Sequence, residues 1–444
     1  MYYPLLRAAD APPIRPLFVD SCDPKGPYGA KGLGEIANAP TAAALANAVA
    51  HALDIRIRKA PLTPDKVLGA LRARSTTPRQ RYYLWRRPDR WQAAAVRAAY
   101  PMGIRAALDR FGTARTAPRG LTPIRGFERP TTLDAAATAM SHAGARPLAG
   151  GTDLLPAIGQ GVAAPEEFVD VTSIPVLAEN VRLSDGGWQI GAGVRLADLA
   201  HHDEDTTPAG VIADAVRRIA SPQIREMATL GGNLCQQNRC WFFRNDFPCY
   251  KRSGWSHPCY AVQGDHRFYH AVAEAHRCQA VTPSDLATVL TALDATAITR
   301  AAGGTRRIPL AEFYRGPGET VLRADELLTA VTVPAEAATR TSGFGKLNAY
   351  AGDFAIVSTC VSLRMAGGTV RDARVVMGAV APTPLRLTGV ERALVRSPLD
   401  RRSIATIADA WKHRTHPLAR NGWKVDAAAG LLQSTLEQCL ELRS

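Results

Sequence analysis

The chain has 444 residues, 46% of them apolar, enough for roughly three domains with ordinary cores, and no apolar run approaches the ~20 residues that span a bilayer. Eight cysteines, five of them within residues 235–278, do not suit a small secreted disulfide framework and point instead to a metal or cluster site. The net charge of +14 is local: residues 71–120 hold twelve arginines and two aspartates, with neither lysine nor glutamate, so that segment alone supplies +10. Clustered arginines can neutralise nucleic-acid phosphates, but an arm lying on a partner subunit or a solvated surface is the expectation here.

In chain order, "MYYPLLRAADAPPIRPLF" lacks the charged head, apolar middle and cleavage site of a signal peptide, so a soluble cytoplasmic chain is expected. The alanine-rich run from Thr41 to Leu53 predicts a helix, and "LTPDKVLGAL" predicts a second, with Thr63 as N-cap and Pro64 at the first helical position. "GLGEIA" (32–37) formally fits G-x-G-x-x-A, with Asp54 twenty residues beyond Gly34. Two prolines and no apolar strand precede it, so a dinucleotide-binding turn is rejected. Residues 73–120 form an arginine-rich linker. From about 121, helix and strand alternate: "TTLDAAATAMSHAG", "ARPLAG", "TDLLPAIGQG", "EEFVDVTSI", "WQIGAGVRL" and "LADLAHH". "GVIADAVRRIASPQIREMATLGGNL" reads as helix, loop and glycine turn, and "SDLATVLTALDATAITR" as helix into strand. From about 341, paired strands follow, with Gly367 and Gly368 as a hairpin turn, and the tail is amphipathic helix. The class is α+β.

Two stretches share a chemistry. "AGGTDLL" (149–155) and "ATLGGNL" (228–234) each set paired glycines beside a threonine. Paired glycines let the backbone approach a ligand and turn its N–H groups inward, threonine adds a hydroxyl, and a helix start adds partial positive charge. The combination suits a pyrophosphate. Between the second turn and "PSDL" (283–286) stand Cys235, Cys240, Cys249, Cys259 and Cys278, together with His257, His266, His270 and His276. Iron–sulfur clusters and zinc sites both need convergent thiolates, and neither needs this spacing in particular. Unpaired structural thiols are the third reading.

"PLAGGTDLLPAI", "IASPQIREMATLGGNL" and "PSDL" stand in the order and spacing of the flavin subunit of molybdenum hydroxylases, the relatives of xanthine dehydrogenase, carbon monoxide dehydrogenase and aldehyde oxidoreductases. "VVMGAVAPTPLRL" resembles that family's C-terminal domain. The resemblance runs from about 122 to the C-terminus. It implies a p-cresol methylhydroxylase-type FAD-binding domain over 121–340, with two α+β lobes, followed by a CO-dehydrogenase-flavoprotein-like α+β domain over 341–444. By the same resemblance, Gly150, Gly151, Thr152 and Asp153 would line the FAD diphosphate, flanked by Leu148 and Leu154. Thr229, Gly231, Gly232 and Asn233 would form the second wall, and Asp285 and Lys346 would approach the cofactor.

The insertion at 234–280 resembles that of flavin subunits of periplasmic-type aldehyde oxidoreductases and 4-hydroxybenzoyl-CoA reductase. It implies a [4Fe–4S] cluster on Cys240, Cys249, Cys259 and Cys278, with Cys235 a bystander and Arg239, Arg244, Lys251 and Arg252 offsetting the cluster's charge. The implied function is the FAD and iron–sulfur electron-transfer subunit of a molybdenum hydroxylase, first an aldehyde oxidoreductase, next a xanthine-type or aromatic-CoA-reducing complex. A large subunit would carry the molybdenum cofactor and turn aldehyde and water into carboxylic acid. A small subunit would carry [2Fe–2S] centres that pass electrons to FAD and on to an external acceptor. Co-export with a partner would make the complex periplasmic. A reading from another class, a basic zinc-bearing nucleic-acid binder, rests on the arginine-rich segment and the Cys/His content.

"GPYGAKGLGEIANAPTAAALANAVAHAL" and "PLTPDKVLGAL" resemble the end of the molybdenum-binding large subunit. There the glutamate of "KGLGE" is the general base beside molybdenum, and that residue is Glu35 here. Residues 1–72 are expected to be a fusion remnant; the alternative is a piece that docks on a separate large subunit and supplies Glu35 in trans.

Overall fold

The computed structural model describes residues 41–55, 57, 62–74, 124–201, 207–254, 257–396 and 400–441, in two compact units spanning 1–82 and 83–444. Glu35 and, beyond Arg74, the arginine-rich linker lie outside the described residues. In the first unit, helices run over Thr41–Leu53 and Pro64–Arg74. Alanine enters a helix at the lowest conformational cost, which accounts for the first, and none of its residues is buried. At the second, the Thr63 carbonyl accepts from the N–H groups of Lys66 and Val67 at 2.9 and 3.1 Å, but its hydroxyl has no partner. Proline, rather than a side-chain cap, sets that start.

The second unit is layered around three main sheets. β1 (Gly126–Glu128), β2 (Ala145–Leu148) and β3 (Glu167–Asp170) form a small parallel sheet in the order β1–β3–β2. Helix Leu133–Ala139 connects β1 to β2. Its start is capped by Thr132, whose Oγ1 accepts the Ala135 N–H at 3.2 Å, and its alanines pack with Val169 and Val171. β4 (Asn180–Arg182), β5 (Trp188–Gly191), β6 (Thr296–Ala301) and β7 (Gly304–Pro309) join a five-stranded antiparallel sheet. β8 (Tyr314–Gly316) and β9 (Glu319–Thr320) form a separate ribbon, and β10 (Leu327–Val333), buried throughout, sits at the centre of the order β4–β5–β10–β6–β7.

β11 (Thr341–Asn348), β12 (Ala355–Ala366), β13 (Thr369–Gly378) and β14 (Leu385–Arg386) make an antiparallel sheet in chain order. Gly367 and Gly368 have φ of +56° and +78°, the left-handed pair that a two-residue hairpin turn requires. Helix Asp285–Ala292 buries all eight residues between helix Pro208–Arg217 and the β12–β13 hairpin. One apolar core therefore runs from Ile190 and Val331 through Leu286 and Leu290 to Phe344, Cys360 and Val376. Helix Trp423–Glu441 covers β11 and β12. No described helix is long and apolar enough to cross a membrane.

Candidate functional site

The chain leaves β2 at Leu148 and enters the first glycine turn at the carboxyl end of a parallel strand, where crevices of open α/β sheets lie. The two glycines serve different needs. A Cβ on Gly150 would stand 2.5 Å from the carbonyl carbon of Met227 and closer still to its oxygen, so this residue permits the second turn to approach. Gly151 takes φ +67°, a left-handed conformation. The N–H groups of Gly150, Gly151 and Thr152 donate to no backbone carbonyl among the described residues, which leaves a row of donors along the turn.

At the second turn the donors are used within the fold. Thr229 Oγ1 accepts from Gly232 N–H at 3.2 Å and caps helix Leu230–Cys235. The N–H groups of Leu230 and Gly231 donate to the carbonyls of Val194 and Ala192 at 2.9 and 2.8 Å. This wall therefore offers a side-chain-free surface rather than donors.

The turns face one cavity of about 670 Å³, lined by Gly150, Gly151, Thr152, Asp153 and Leu154 on one side and by Thr229, Gly231 and Gly232 on the other. That volume suits a cofactor-sized ligand. Leu148, Asn233, Asp285 and Lys346 are not among its lining residues. Asn233 is buried, and its Oδ1 accepts from Ser284 Oγ at 2.7 Å. Lys346 and Asp285 meet each other at 2.8 Å, with side chains 2% and 6% exposed, and Lys346 also donates to the Arg218 carbonyl. This pair fastens β11 to helix Asp285–Ala292.

Sequence reasoning missed further parts of the lining, among them Ala192–Gly193 just after β5 and the run from Gly318 to Leu328. "GAG" at 191–193 was a legible signal for the former; nothing marks the latter. Within that run Glu326 is held by both Arg306 nitrogens at 2.7 Å and by Thr299 Oγ1. Burial pushes its carboxyl up, but the Arg306 and Thr299 hydrogen bonds outweigh it and leave the carboxyl below the usual glutamate range.

Asp153 joins the cavity to the sulfur-rich lobe. Its Oδ1 pairs with Arg239 at 2.8 Å and Arg244 at 2.9 Å, and its Oδ2 accepts the Gln237 N–H at 2.8 Å. The neighbouring residue in the chain after Arg239 is Cys240. Lys251 pairs with Glu319 and Arg252 with Asp246, so each of the four basic residues expected to offset a cluster has a carboxylate partner.

Cys240, Cys249, Cys259 and Cys278 gather in one apolar pocket with Phe242, Phe243, Phe247 and Tyr260. Cys240, Cys249 and Cys259 each stand immediately before a short helical turn, beginning at Trp241, Tyr250 and Tyr260. Two of these turns aim backbone N–H groups at sulfur, Phe243 and Phe242 at Cys240 and Ala261 at Cys259, while Gln279 and Ala280, outside any helical turn, direct theirs at Cys259 and Cys278. Burial pushes the Cys240 thiol up to about 12 and that of Cys278 to about 11, against those hydrogen bonds. Free thiolates are thus disfavoured here, whereas a coordinating cation would deprotonate the thiols. No three of these sulfurs lie within 4.8 Å of one another; among the described residues only Glu128, His142 and Glu167 form such a set. Four convergent thiols are a donor set that both zinc and an iron–sulfur cluster accept.

Of the histidines, His266 spends both ring nitrogens on structure: Nδ1 donates to the Ala261 carbonyl at 2.6 Å and Nε2 accepts the Arg420 N–H at 3.0 Å. His270 Nε2 lies 3.4 Å from Cys240 Sγ. Burial, aided by the Lys424 charge, pushes His270 down to about 3, so its ring is neutral. Cys235 is exposed and lines the cavity.

Residues 122–336 match the FAD binding domain in molybdopterin dehydrogenase, and residues 343–439 the CO dehydrogenase flavoprotein C-terminal domain. The chain is 33% identical to the aldehyde oxidoreductase FAD-binding subunit PaoB of Escherichia coli K12, over 70% of this chain and 97% of that protein. It is 26% identical to the carbon monoxide dehydrogenase medium chain of Hydrogenophaga pseudoflava, over 65% of this chain and 86% of that one. A crystal structure of carbon monoxide dehydrogenase from the same organism superposes with a TM-score of 0.58 at 24% identity, covering 72% of this chain and 99% of that one. These matches displace the zinc-bearing nucleic-acid reading. With both family domains matched along 122–439 and 33% identity over nearly the whole of an FAD-binding subunit, the chain belongs to the FAD-binding oxidoreductase subunits of the molybdenum hydroxylase family.

Proposed function

We propose that this chain carries FAD at the paired glycine turns and a [4Fe–4S] cluster on Cys240, Cys249, Cys259 and Cys278, as the electron-transfer subunit of an aldehyde oxidoreductase. What supports the cluster reading is the convergence of four cysteines, two buried and two half-buried, in one apolar pocket, within an insertion that resembles the cluster-bearing one of periplasmic-type aldehyde oxidoreductases. FAD, when bound, exchanges electrons in pairs or singly, and an iron–sulfur cluster exchanges them singly.

The chain's own residues position and insulate. Gly150, Gly151 and Thr152 offer N–H groups to a diphosphate, while Gly231 and Gly232 keep the opposite wall free of side chains. Phe242, Phe243 and Tyr260 exclude water from the thiols. Asp153 ties the flavin turn to the residue preceding Cys240. Likeness to the aldehyde oxidoreductase subunit over nearly its whole length supports an aldehyde as substrate. Aldehyde and water give carboxylic acid, two electrons and two protons on a molybdenum-binding large subunit, with a [2Fe–2S] small subunit as third partner.

On this reading 121–340, with its insertion at 234–280, is the FAD-binding domain and 341–444 the C-terminal domain. Residues 1–72 are a remnant, 73–120 a linker, and the compartment is the cytoplasm. The test is metal and flavin analysis of the chain purified with its partners. The wild-type complex is expected to hold about one FAD and about four irons beyond those of the [2Fe–2S] partner, and Cys249→Ser to lose those four while retaining flavin and the partner's iron. Cys235→Ser should keep the iron. Iron content unchanged in Cys249→Ser would end the assignment of that ligand.

A further inference from the structure

We infer that His270 is a positioning residue for the sulfur site: its Nε2–H donates a hydrogen bond to Cys240 Sγ and thereby raises the reduction potential of the centre that Cys240 holds. The inference rests on the cluster reading above and names a residue outside its ligand set.

The geometry fixes the proton's place. His270 is buried, its Nε2 lies 3.4 Å from Cys240 Sγ, and its Nδ1 has no hydrogen-bond partner. An imidazole always carries at least one N–H. An N–H buried without an acceptor loses its hydration uncompensated, so the proton belongs on Nε2, where sulfur accepts it. The lone pair left on Nδ1 is then the unmatched group.

The ring is also held where it stands. It lies tilted at 45° beside Phe242, with centroids 6.2 Å apart. The His270 carbonyl accepts from Lys424 Nζ at 3.0 Å and from Asn421 Nδ2 at 3.4 Å. Residue 270 forms a bridge with Ala280, and the Ala271 N–H donates to the Gln279 carbonyl at 2.8 Å. Lys424 is itself satisfied by the Phe268 and Ala379 carbonyls as well, so the clamp is complete. The start of the C-terminal helix thus pins the backbone behind the histidine, and the ring reaches sulfur without freedom to retreat. A donor to a ligand thiolate stabilises the more negative, reduced state more than the oxidised one, which raises the potential.

The experiment is an EPR-monitored redox titration of the complex containing wild type, His270→Phe or His270→Gln, with iron counted in each. His270→Phe is expected to keep its iron and to shift the reduction equilibrium about tenfold, a potential lower by about 59 mV for one electron. His270→Gln, which retains an N–H donor, is expected to recover most of the shift. Equal potentials in all three proteins overturn the inference. Should His270→Phe fail to accumulate, pulsed EPR on the wild type with ¹⁵N-labelled histidine decides: a single weak, outer-sphere nitrogen coupling supports the hydrogen bond. Its absence, or the strong coupling of a direct iron ligand, refutes it. Wild-type protein without iron on this subunit would instead sink the cluster reading itself, a result distinct from any of these.

Discussion

Replacing Asp153 by asparagine keeps the side chain's shape and removes its charge, and the surroundings set the size of the effect. The carboxylate is 20% exposed, Arg244 only 2% and Arg239 17%. Breaking a buried ion pair by neutralising one partner costs about 3–5 kcal/mol, because the other charge stays desolvated. Here the lower end applies. Arg244 keeps hydrogen bonds to the Asn238 carbonyl, Gln160 Oε1 and the Gln237 carbonyl, and Arg239 keeps one to Gln236 Oε1. The asparagine amide, moreover, must turn its NH₂ toward either a guanidinium or the Gln237 N–H, and both are donors. We expect a loss of about 3 kcal/mol, which at about 2.1 cal/mol/K of unfolding entropy per residue lowers the melting temperature of a unit spanning 83–444 by roughly 4 °C. Flavin and iron content should fall together, since the same carboxylate holds the turn at 150–153 and the chain entering Cys240. Differential scanning calorimetry with flavin absorbance and iron analysis measures all three. Glu226→Gln is the control, its pair with Arg195 being 3.5 Å long and exposed on both sides, and it should move stability by less than about 1 kcal/mol. An Asp153→Asn protein as stable and as fully loaded as the wild type would refute the reasoning that this carboxylate couples the two sites.

Gly150→Ala forces a Cβ into the Met227 carbonyl, so the two turns must part by at least half an ångström against its carbon alone. A loss of about 1–3 kcal/mol and of most bound flavin is expected, checked by thermal denaturation and by FAD released on heating. Glu326 contributes stability at and above the ordinary glutamate pKa, and that contribution is lost as pH falls through its lower folded value. Because Arg306 stays 41% exposed, Glu326→Gln should cost only about 1–2 kcal/mol at neutral pH. It should also flatten the decline in stability as pH falls below the ordinary glutamate range, followed by chemical denaturation across an acid pH series. An acid limb as steep as the wild type's would count against it.

How far the sequence discloses this molecule depends on whether a feature is local. The hairpin at Gly367–Gly368 and the turns at Gly150 and Gly231 are legible because left-handed or side-chain-free backbone is most readily written as glycine. The wall formed by Gly318–Leu328 is not, because it reaches the cavity only through the insertion of β10 between β5 and β6, a matter of sheet order. Asp285 and Lys346 lie 61 positions apart, and nothing in either segment says that they will neutralise each other. The helical turns that follow Cys240, Cys249 and Cys259 were equally hidden, since cysteine is no preferred N-cap and each turn is only three or four residues long. Which arginines would meet a carboxylate was likewise decided by tertiary packing.

The sulfur-rich insertion is therefore gripped from two sides by parts of the chain far from it in sequence. At its front, Asp153 takes Arg239 and Arg244. At its back, Lys424, Asn421 and the Arg420 N–H reach the carbonyls of 268 and 270 and the ring of His266. An insertion with its own apolar pocket could have hung from the cavity by a flexible stem. Instead its buried polar contacts are made with the flavin turn and the C-terminal helix, and a buried ammonium that donates to three carbonyls is costly to pull away. Two redox centres exchange electrons reproducibly only if their separation is fixed. On the proposed cluster reading, the grip at both ends fixes that separation, and so the C-terminal domain acts on the sulfur lobe as well as on the core beneath it.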